Sequence, residues 1–318
     1  MFKKTIDFNK CFKPALIIYA AFLAVGLILT IIFGVNLDIN FKGGTRITYA
    51  YDGELDYKST ESVIEKALGK DVTVSESSDI SDNSKKLVIS LVGADSISTE
   101  AQNDIAKALS DSYKDVKFEI YDSNSVNPSV AGAFFAKSIA AVALTGLLVI
   151  LYVGIRFRKI GGVSAGITAF ASLFLDVLVA FFTCVIFGLQ IDSNFMAVIL
   201  TILGYSLNDT IVVYDRVREN KGINPTATTA ELVNDSLNVV KIRTFITTLT
   251  TFSAVVMIIV VAELFGLTSL RSFAIPMAFG LISGCISSLF ISAPLWVIWK
   301  NHSDNKLPKA TKKKGRRR

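Results

Sequence analysis

The chain has 318 residues, 51% of them apolar, and 33 Lys and Arg against 27 Asp and Glu give it a formal net charge of +6. With a mean hydropathy of +0.50, this composition argues against a soluble globular protein and for an integral membrane protein. Three cysteines (Cys11, Cys184, Cys285) lie in or beside apolar segments and the lone histidine, His302, follows the last apolar run, so neither a disulfide scaffold nor a zinc site is expected.

Residues 1–14 hold Lys3, Lys4, Lys10 and Lys13 and precede an apolar run at residues 15–35. That run is long enough to cross about 30 Å of hydrocarbon. It is too long, and too poorly followed by small residues, to be a cleaved signal. Residues 36–132 then read strand–helix–strand–strand–helix–strand. LDINFKGGTRITYAY alternates and ends at the turn Asp52-Gly53. STESVIEKALG has a Ser/Thr cap, helical spacing and a closing Gly69. DVTVSES and KKLVISLV alternate as strands around Asp82-Asn83-Ser84. STEAQNDIAKALSDSY is the second helix, with a capping Ser/Thr, and DVKFEIYD the last strand. This order is the ferredoxin-like split βαβ arrangement. The segment has no histidine, no cysteine and no phosphate-binding glycine loop, so a gripping module is expected rather than a catalytic one. Gly43 and Gly44 sit inside a strand pattern and mark a bulge or a close backbone approach.

Five further apolar runs follow, at residues 133–155, 162–189, 195–214, 245–265 and 274–299, for six spans in all. Between them, Arg156, Arg158 and Lys159 join spans two and three, and Arg216, Arg218, Lys221, Lys241 and Arg243 lie in the connection 215–243. With six spans these clusters fall on one side together with both termini; Arg271 is the exception. The positive-inside rule makes that side cytoplasmic and places residues 36–132 outside. Within the connection, residues 229–240 read as a short surface helix. The tail 300–318 is strongly basic and suits anionic lipid; no nucleic-acid partner is expected.

Three charges stand where the bilayer disfavours them. Asp176 is near the middle of the third span, on a helical face with Ser172 and Thr183 that Ala165 and Ala169 extend. Asp209 lies in the fourth, with Tyr205 and Ser206 one turn before it and Asn208 beside it. Arg243 opens the fifth and could meet Asp209 at similar depth. A charge at the bilayer centre costs about 2.5–3.5 kcal/mol on insertion scales, so such residues face a bundle interior or a water path. The competing reading is a packing role: a structural hydrogen bond or ion pair for Asp209 and Asp176, snorkelling for Arg243. The functional reading is ion relay. Low dielectric raises a carboxylate's affinity for protons and a guanidinium lowers it. No GxxxxGK[ST] loop is present, so ion flow is the available drive. The coupling ion is a proton or sodium, for which Asp209, Asn208 and Ser206 supply oxygen ligands, and no other cofactor is expected. Gly162-Val-Ser-Ala-Gly166 and Gly280-Leu-Ile-Ser-Gly284 are small-xxx-small patterns that allow close helix contact.

The motifs carry a resemblance. GYSLNDTIVVYDRVREN at 204–220, FKGGT at 41–45, NPSVAG at 127–132, LDV at 175–177, and FGLTSLRSFA followed by GLISGCISS are similar to the SecF family. Its members are the smaller membrane subunits of bacterial SecD–SecF protein-export complexes, within the resistance-nodulation-division (RND) superfamily. The resemblance covers nearly the whole chain. It implies an α-helical membrane protein of six RND-type helices, with one extracytoplasmic ferredoxin-like α+β domain after the first. The family's essential fourth-span aspartate matches Asp209 and its fifth-span arginine matches Arg243. It further implies a non-enzymatic subunit of the bacterial cytoplasmic membrane, driven by proton or sodium motive force, whose external domain pulls a translocating preprotein. SecD, the SecYEG channel, SecA and YajC are the partners it implies. Gly43, Gly44 and Pro128 fall in the motifs that flank the external domain and are its expected hinge. The chain departs from the family pattern at Asn40, Asn127 and Leu175, where aspartate, glycine and histidine are usual.

Two other readings compete. An RND exporter of small molecules or lipids usually carries both halves on one chain, whereas one half here leads to the expectation of a partner. An intramembrane aspartyl protease would pair Asp176 with Asp209. Residues 206–209 read Ser-Leu-Asn-Asp, without the glycine-x-glycine-aspartate element such a protease needs.

Overall fold

The structure, a computed structural model, describes residues 5–53, 55–69, 72–78, 85–92, 99–114, 116–265 and 267–306. The Asp82-Asn83-Ser84 turn, the cap before the second helix of the small domain and most of the basic tail lie outside them.

Helix α1 spans Phe8–Phe33, seven residues earlier than the apolar run begins. The side chain of Asp7 caps it by accepting from Lys10 N at 3.3 Å, so the helix extends beyond the apolar stretch. A short helix, α2 (Ile39–Lys42), follows where alternation predicts strand. It ends on Gly43 at φ 78°, a left-handed position that a glycine occupies without strain. Phe41 packs against Phe134 and Phe135, with ring centroids at 5.3 and 6.1 Å. That packing overrides the strand-like pattern of INFK.

The small domain continues through β1 (Gly44–Tyr51), α3 (Tyr57–Leu68), β2 (Thr73–Ser78), β3 (Lys85–Val92), α4 (Thr99–Ser112) and β4 (Phe118–Val126). The strands form one antiparallel sheet in the order β2-β3-β1-β4, the ferredoxin-like arrangement. Register pairs Ile47 with Ile89 and Tyr49 with Leu87. These four bury one face of the sheet with Ile64 of α3 and Ile105 and Leu109 of α4. The spacing of Ile105 and Leu109 turns one stripe of α4 to the sheet.

The membrane part resumes with α5 (Pro128–Arg156), α6 (Gly162–Ile186), α7 (Ser193–Ile223) and α8 (Thr229–Leu264). It closes with α9 (Thr268–Ser287), a π-helical turn at Ser288–Ser292, and α10 (Ala293–Lys306). Among the described residues six helices are long and apolar enough to cross a membrane, the last running through α9, the turn and α10. Pro128 opens α5, ahead of the expected start at residue 133, with Asn127 accepting from Ser129 N at 2.9 Å as its cap. The connection 215–243 is not a loop: α7 runs to Ile223 and α8 begins at Thr229. The surface helix expected at 229–240 is present and runs without a break into the fifth span as the first part of α8. A capping box between Thr228 and Glu231 starts it. Nothing between Val240 and Phe245 breaks the helix, because Lys241 and Arg243 mark an interface rather than an end.

Helices α6, α7 and α9 form the centre of the bundle, while α1, α5 and α8 lie outside. The outer helices leave long apolar rows uncovered, among them Ile17, Ile18, Ile31 and Phe33 of α1 and Phe245, Leu249 and Met257 of α8. No water-soluble monomer exposes so much contiguous hydrocarbon surface, and lipid is the solvent that suits it. The glycine patterns lie at close crossings. A methyl on Gly162 would stand 2.0 Å from the carbonyl oxygen of Gly154. On the other pair, Gly280 faces Ile202 and Gly284 faces Ser206.

The π-helical turn has a geometric effect. Five residues separate Ser287 from Ser292, which in an α-helix rotates the side chain by about 140°. The wider turn absorbs the extra residue. Ser283, Ser287, Ser288, Ser292 and Trp296 consequently all meet α6 or α7.

The α5–α6 crossing is testable. Gly162→Ala forces backbone apart and is expected to lower stability by about 1–3 kcal/mol. Gly154→Ala, with open space around its added methyl, should be neutral. Melting of the purified variants in detergent compares them, and equal melting points would refute the close crossing.

Candidate functional site

Asp176 is 0% exposed and is held by hydroxyls from two other helices. Ser206 of α7 donates to its Oδ2 at 2.7 Å. From α9, Ser287 donates to Oδ2 at 2.8 Å and Ser283 to Oδ1 at 2.5 Å. Tyr19 of α1 reaches the same place, its hydroxyl 2.8 Å from Ser283 O and 2.9 Å from Ser283 Oγ. Four helices thus converge on one carboxylate. The sequence carries a signal for the two α9 serines, which stand four apart. Tyr19 has no such signal: it is one polar residue in an apolar span.

Hydroxyl contacts continue toward the far end of the bundle. Thr210 Oγ1 and Ser288 Oγ lie 3.1 Å apart. Tyr214 OH is 3.0 Å from Thr168 Oγ1 and 3.2 Å from Ser292 Oγ. Trp296 Nε1 donates to Ser164 Oγ at 3.0 Å. Each contact joins two helices by a group that hydrocarbon cannot satisfy.

Asp209 is one turn further along α7 than Ser206 and is only 4% exposed. Its Oδ2 has no hydrogen-bond partner among the described residues, and neither has Thr244 Oγ1 of α8. Arg243 adjoins Thr244 on α8. Asp209 and Arg243 form no ion pair within 4.0 Å, so the expected direct meeting does not occur among the described contacts. Helical phase is the reason. Val240, Thr244 and Thr248 form the buried stripe of α8, and Arg243 precedes that stripe by one residue, on the exposed side. Of the polar neighbours expected for Asp209, Ser206 turns to Asp176 instead. Tyr205 is half-buried, its hydroxyl 3.5 Å from Thr248 Oγ1. Asn208 is exposed and takes no part in the buried face. Asp176 and Asp209 share no hydrogen bond, which removes the geometry an aspartyl dyad requires.

The small domain joins the bundle through residues 34–43 and 127–128. Asp38 N donates to Ile191 O at 3.0 Å and Ile191 N to Asn36 O at 2.8 Å, a parallel bridge between Leu37 and Ile191. Ile191 belongs to the α6–α7 connection, so the helices bearing Asp176 and Asp209 are strapped to the segment that leads into β1. Asp38 is wholly buried, ion-paired with Arg46 and accepting from Asn40 Nδ2 at 2.6 Å. Asn40 therefore donates where the family's usual aspartate could not. Gly43 lies against Pro128, where an added methyl would come within 2.6 Å of the proline Cα. Gly44, at φ 135°, starts β1 with no bulge at that position. Close approach, not a bulge, is what the Gly43-Gly44 pair provides.

Comparison with known proteins gives consistent matches. Residues 105–302 match the family model described as protein export membrane protein SecD/SecF, C-terminal. Protein translocase subunit SecDF of Bacillus subtilis is 35% identical over 300 residues, covering 92% of this chain and 38% of that protein. Protein translocase subunit SecF of Alicyclobacillus acidocaldarius is 31% identical over 314 residues, covering 98% of each. A crystal structure of SecDF from Thermus thermophilus, described as a translocon-associated membrane protein, superposes with a TM-score of 0.75 at 26% identity. That match covers 95% of this chain and 39% of the other. The chain thus spans about two fifths of its SecDF relatives and nearly the full length of its SecF relative.

The strap offers a test through Asp192, which caps α7 by accepting from Asn194 N and Phe195 N. Burial, reinforced by the nearby charge of Asp38, pushes the Asp192 carboxyl above the usual range despite those bonds. The folded state then holds its proton to higher pH than the unfolded chain does. Ionisation consequently reduces stability as pH rises through that window. Asn keeps the cap acceptor and lacks the charge. Asp192→Asn should melt higher than wild type at neutral pH, with the gap closing as pH falls below the carboxylate range. A lower melting point at neutral pH would mean that the anion contributes more as a cap than its burial costs.

Proposed function

The chain belongs to the SecD/SecF family of protein-export membrane proteins, and we propose that it couples an ion gradient to late steps of preprotein export. The observation that carries this reading is the buried carboxylate oxygen of Asp209, left without a hydrogen bond among the described residues. A buried polar atom without a partner in the fold is uncommon in native proteins, and a carboxylate that gains and loses an ion is one way such an atom arises. In one state the side chain is a neutral acid in low dielectric. In the other it is a carboxylate with Arg243 drawn in. One charge moved through 100 mV yields about 2.3 kcal/mol, enough to shift a two-state equilibrium roughly fifty-fold.

Movement at α7 has a mechanical route outward. The α6–α7 connection is hydrogen-bonded to residues 36–38, which lead directly into the sheet of the small domain. A shift of α6 against α7 displaces that strap and with it the domain. In this reading both termini are cytoplasmic and the domain stands on the outer face of the cytoplasmic membrane, an orientation that the distribution of Lys and Arg supports. There it holds an emerging preprotein. SecD is the expected partner, because SecDF relatives carry further chain beside the part matched here. SecYEG, SecA and YajC complete the assembly in this reading, and anionic lipid holds the basic tail. The coupling ion in this reading is a proton or sodium.

Asp209→Asn should leave protein level and co-purification with the SecD partner unchanged and reduce gradient-dependent export to the level without a gradient. Export at the wild-type rate with normal protein level overturns the relay. Arg243→Ala should behave in the same way, whereas Arg243→Lys retaining full export would reduce Arg243 to a topological charge.

A further inference from the structure

The seam between α8 and α9 is left open among the described residues. A groove of about 590 Å³ runs along it, walled by Phe245, Leu249 and Phe252 of α8, Ile282 and Ile286 of α9, and Phe290 of the π-helical turn. The N-terminal segment closes one end. Ile6 N donates to Asn238 Oδ1 at 2.9 Å and Asn238 Nδ2 to Ile6 O at 2.8 Å, while Phe8 N donates to Asn234 Oδ1 at 2.9 Å. These bonds hold Ile6 and Phe8 against the groove, and Phe8 packs on Phe290 with ring centroids 5.1 Å apart. Lys241 stands at the same end, one turn after Asn238, its Nζ donating to Asn238 Oδ1 at 2.9 Å. Among the described residues it is the one charged side chain that lines the groove. Of the acidic groups near this end, Asp7 is ion-paired with Lys10 at 3.2 Å, and Asp235 is exposed on α8, six residues before Lys241.

Length and volume decide what fits. From Lys241 to Phe252 the helix rises about 16 Å, roughly half of the ~30 Å hydrocarbon thickness. The groove therefore serves one leaflet. A partner's transmembrane helix needs a seam as long as the bilayer and far more volume, whereas a single acyl chain matches both dimensions. Direction agrees. Arg243, Thr247 and Thr250 share one side of α8, and Phe245 and Phe252 lie about half a turn around the axis from them. The groove and the Arg243 flank thus face different neighbours.

We propose that the groove is a binding site for one anionic phospholipid, with an acyl chain between α8 and α9 and the phosphate against the Lys241 ammonium. An acyl chain gains little by leaving bulk lipid for an apolar groove, so selection comes from shape and from the charge-assisted bond at Lys241. The seated chain completes the packing of α8 on α9 beside Thr248, which lines the groove and whose Oγ1 lies 3.5 Å from Tyr205 OH of α7. The proposal concerns binding by the chain itself and stands or falls independently of the export mechanism.

The test uses the full chain, stripped of lipid in detergent and given dioleoyl phosphatidylglycerol or dioleoyl phosphatidylcholine. Native mass spectrometry counts retained lipid, and melting follows its effect. One phosphatidylglycerol per chain is expected, held in preference to phosphatidylcholine, with a saturable rise in melting temperature. Lys241→Gln keeps a donor for Asn238 without the charge. It should weaken phosphatidylglycerol binding roughly fivefold, the weight of one cation beside an anionic headgroup, and erase the preference. Leu249→Trp fills the groove and should remove both the retained lipid and the rise, while Ile31→Trp, on the open face of α1, should change neither. Size exclusion checks folding, and Lys241→Gln alone decides the matter if Leu249→Trp does not fold. Equal retention of the two lipids, or retention that neither Lys241→Gln nor Leu249→Trp alters, means ordinary boundary lipid and overturns the site. Cross-linking of Leu249→Cys to a co-expressed SecD partner in membranes assigns the groove to a protein and overturns it as well.

Discussion

Hydrocarbon offers no hydrogen bonds, and the centre of this bundle is organised by that fact. Asp176 gathers Ser206, Ser283 and Ser287 because a buried carboxylate finds no other hydrogen-bond donors in hydrocarbon. Those bonds set the rotation of α6, α7 and α9 about their axes. Gly280 and Gly284 set how near α9 can come to α7. The π-helical turn at Ser288–Ser292 keeps α9 and α10 in phase, so the hydroxyl contacts do not stop after one helical repeat. Against this fully bonded carboxylate, Asp209 one turn along α7 keeps an oxygen without a hydrogen bond among the described residues.

Much of this was legible in the residues themselves. Six apolar runs give six membrane helices, and the alternating and helical patterns of the inserted segment give the observed sheet order. Both carboxylates stand out as charges in apolar sequence, and both prove to be buried. What could not be read were the features decided by tertiary contact. INFK alternates like a strand, yet the stacking of Phe41 on Phe134 and Phe135 makes it a turn of helix. Lys241 and Arg243 look like the end of a loop, but they are polar residues at the interface within one uninterrupted helix. Arg243 is expected to meet Asp209, yet it falls on the exposed side of α8, one residue before the buried stripe. One residue of helical phase separates the two cases, and no spacing within α8 alone reveals which stripe packs inward. The place of Tyr19 in the Asp176 cluster depends on α1 crossing α9, a contact between residues 264 apart in the chain.

The strap between Asn36–Asp38 and Ile191 links two levels of the molecule. Backbone hydrogen bonds are stiff over short distances, and here they connect an interhelical turn of the bundle to the segment that leads into the first strand of the small domain. The buried Asp38–Arg46 pair fixes the direction in which that strand leaves. Side chains of β4 on the opposite edge are largely exposed, Ile120 and Tyr121 among them. The domain is thus rigid at its base and open at one edge.

Both strands of chain that lead into the domain and out of it touch one another, Gly43 against Pro128. A module whose two ends meet can be exchanged as a cassette, since the helices on either side need bridge only a short gap whatever lies between. The small domain can therefore diverge while the helical bundle stays constant, and a chimera that keeps the junction and swaps the sheet needs no change in the helices.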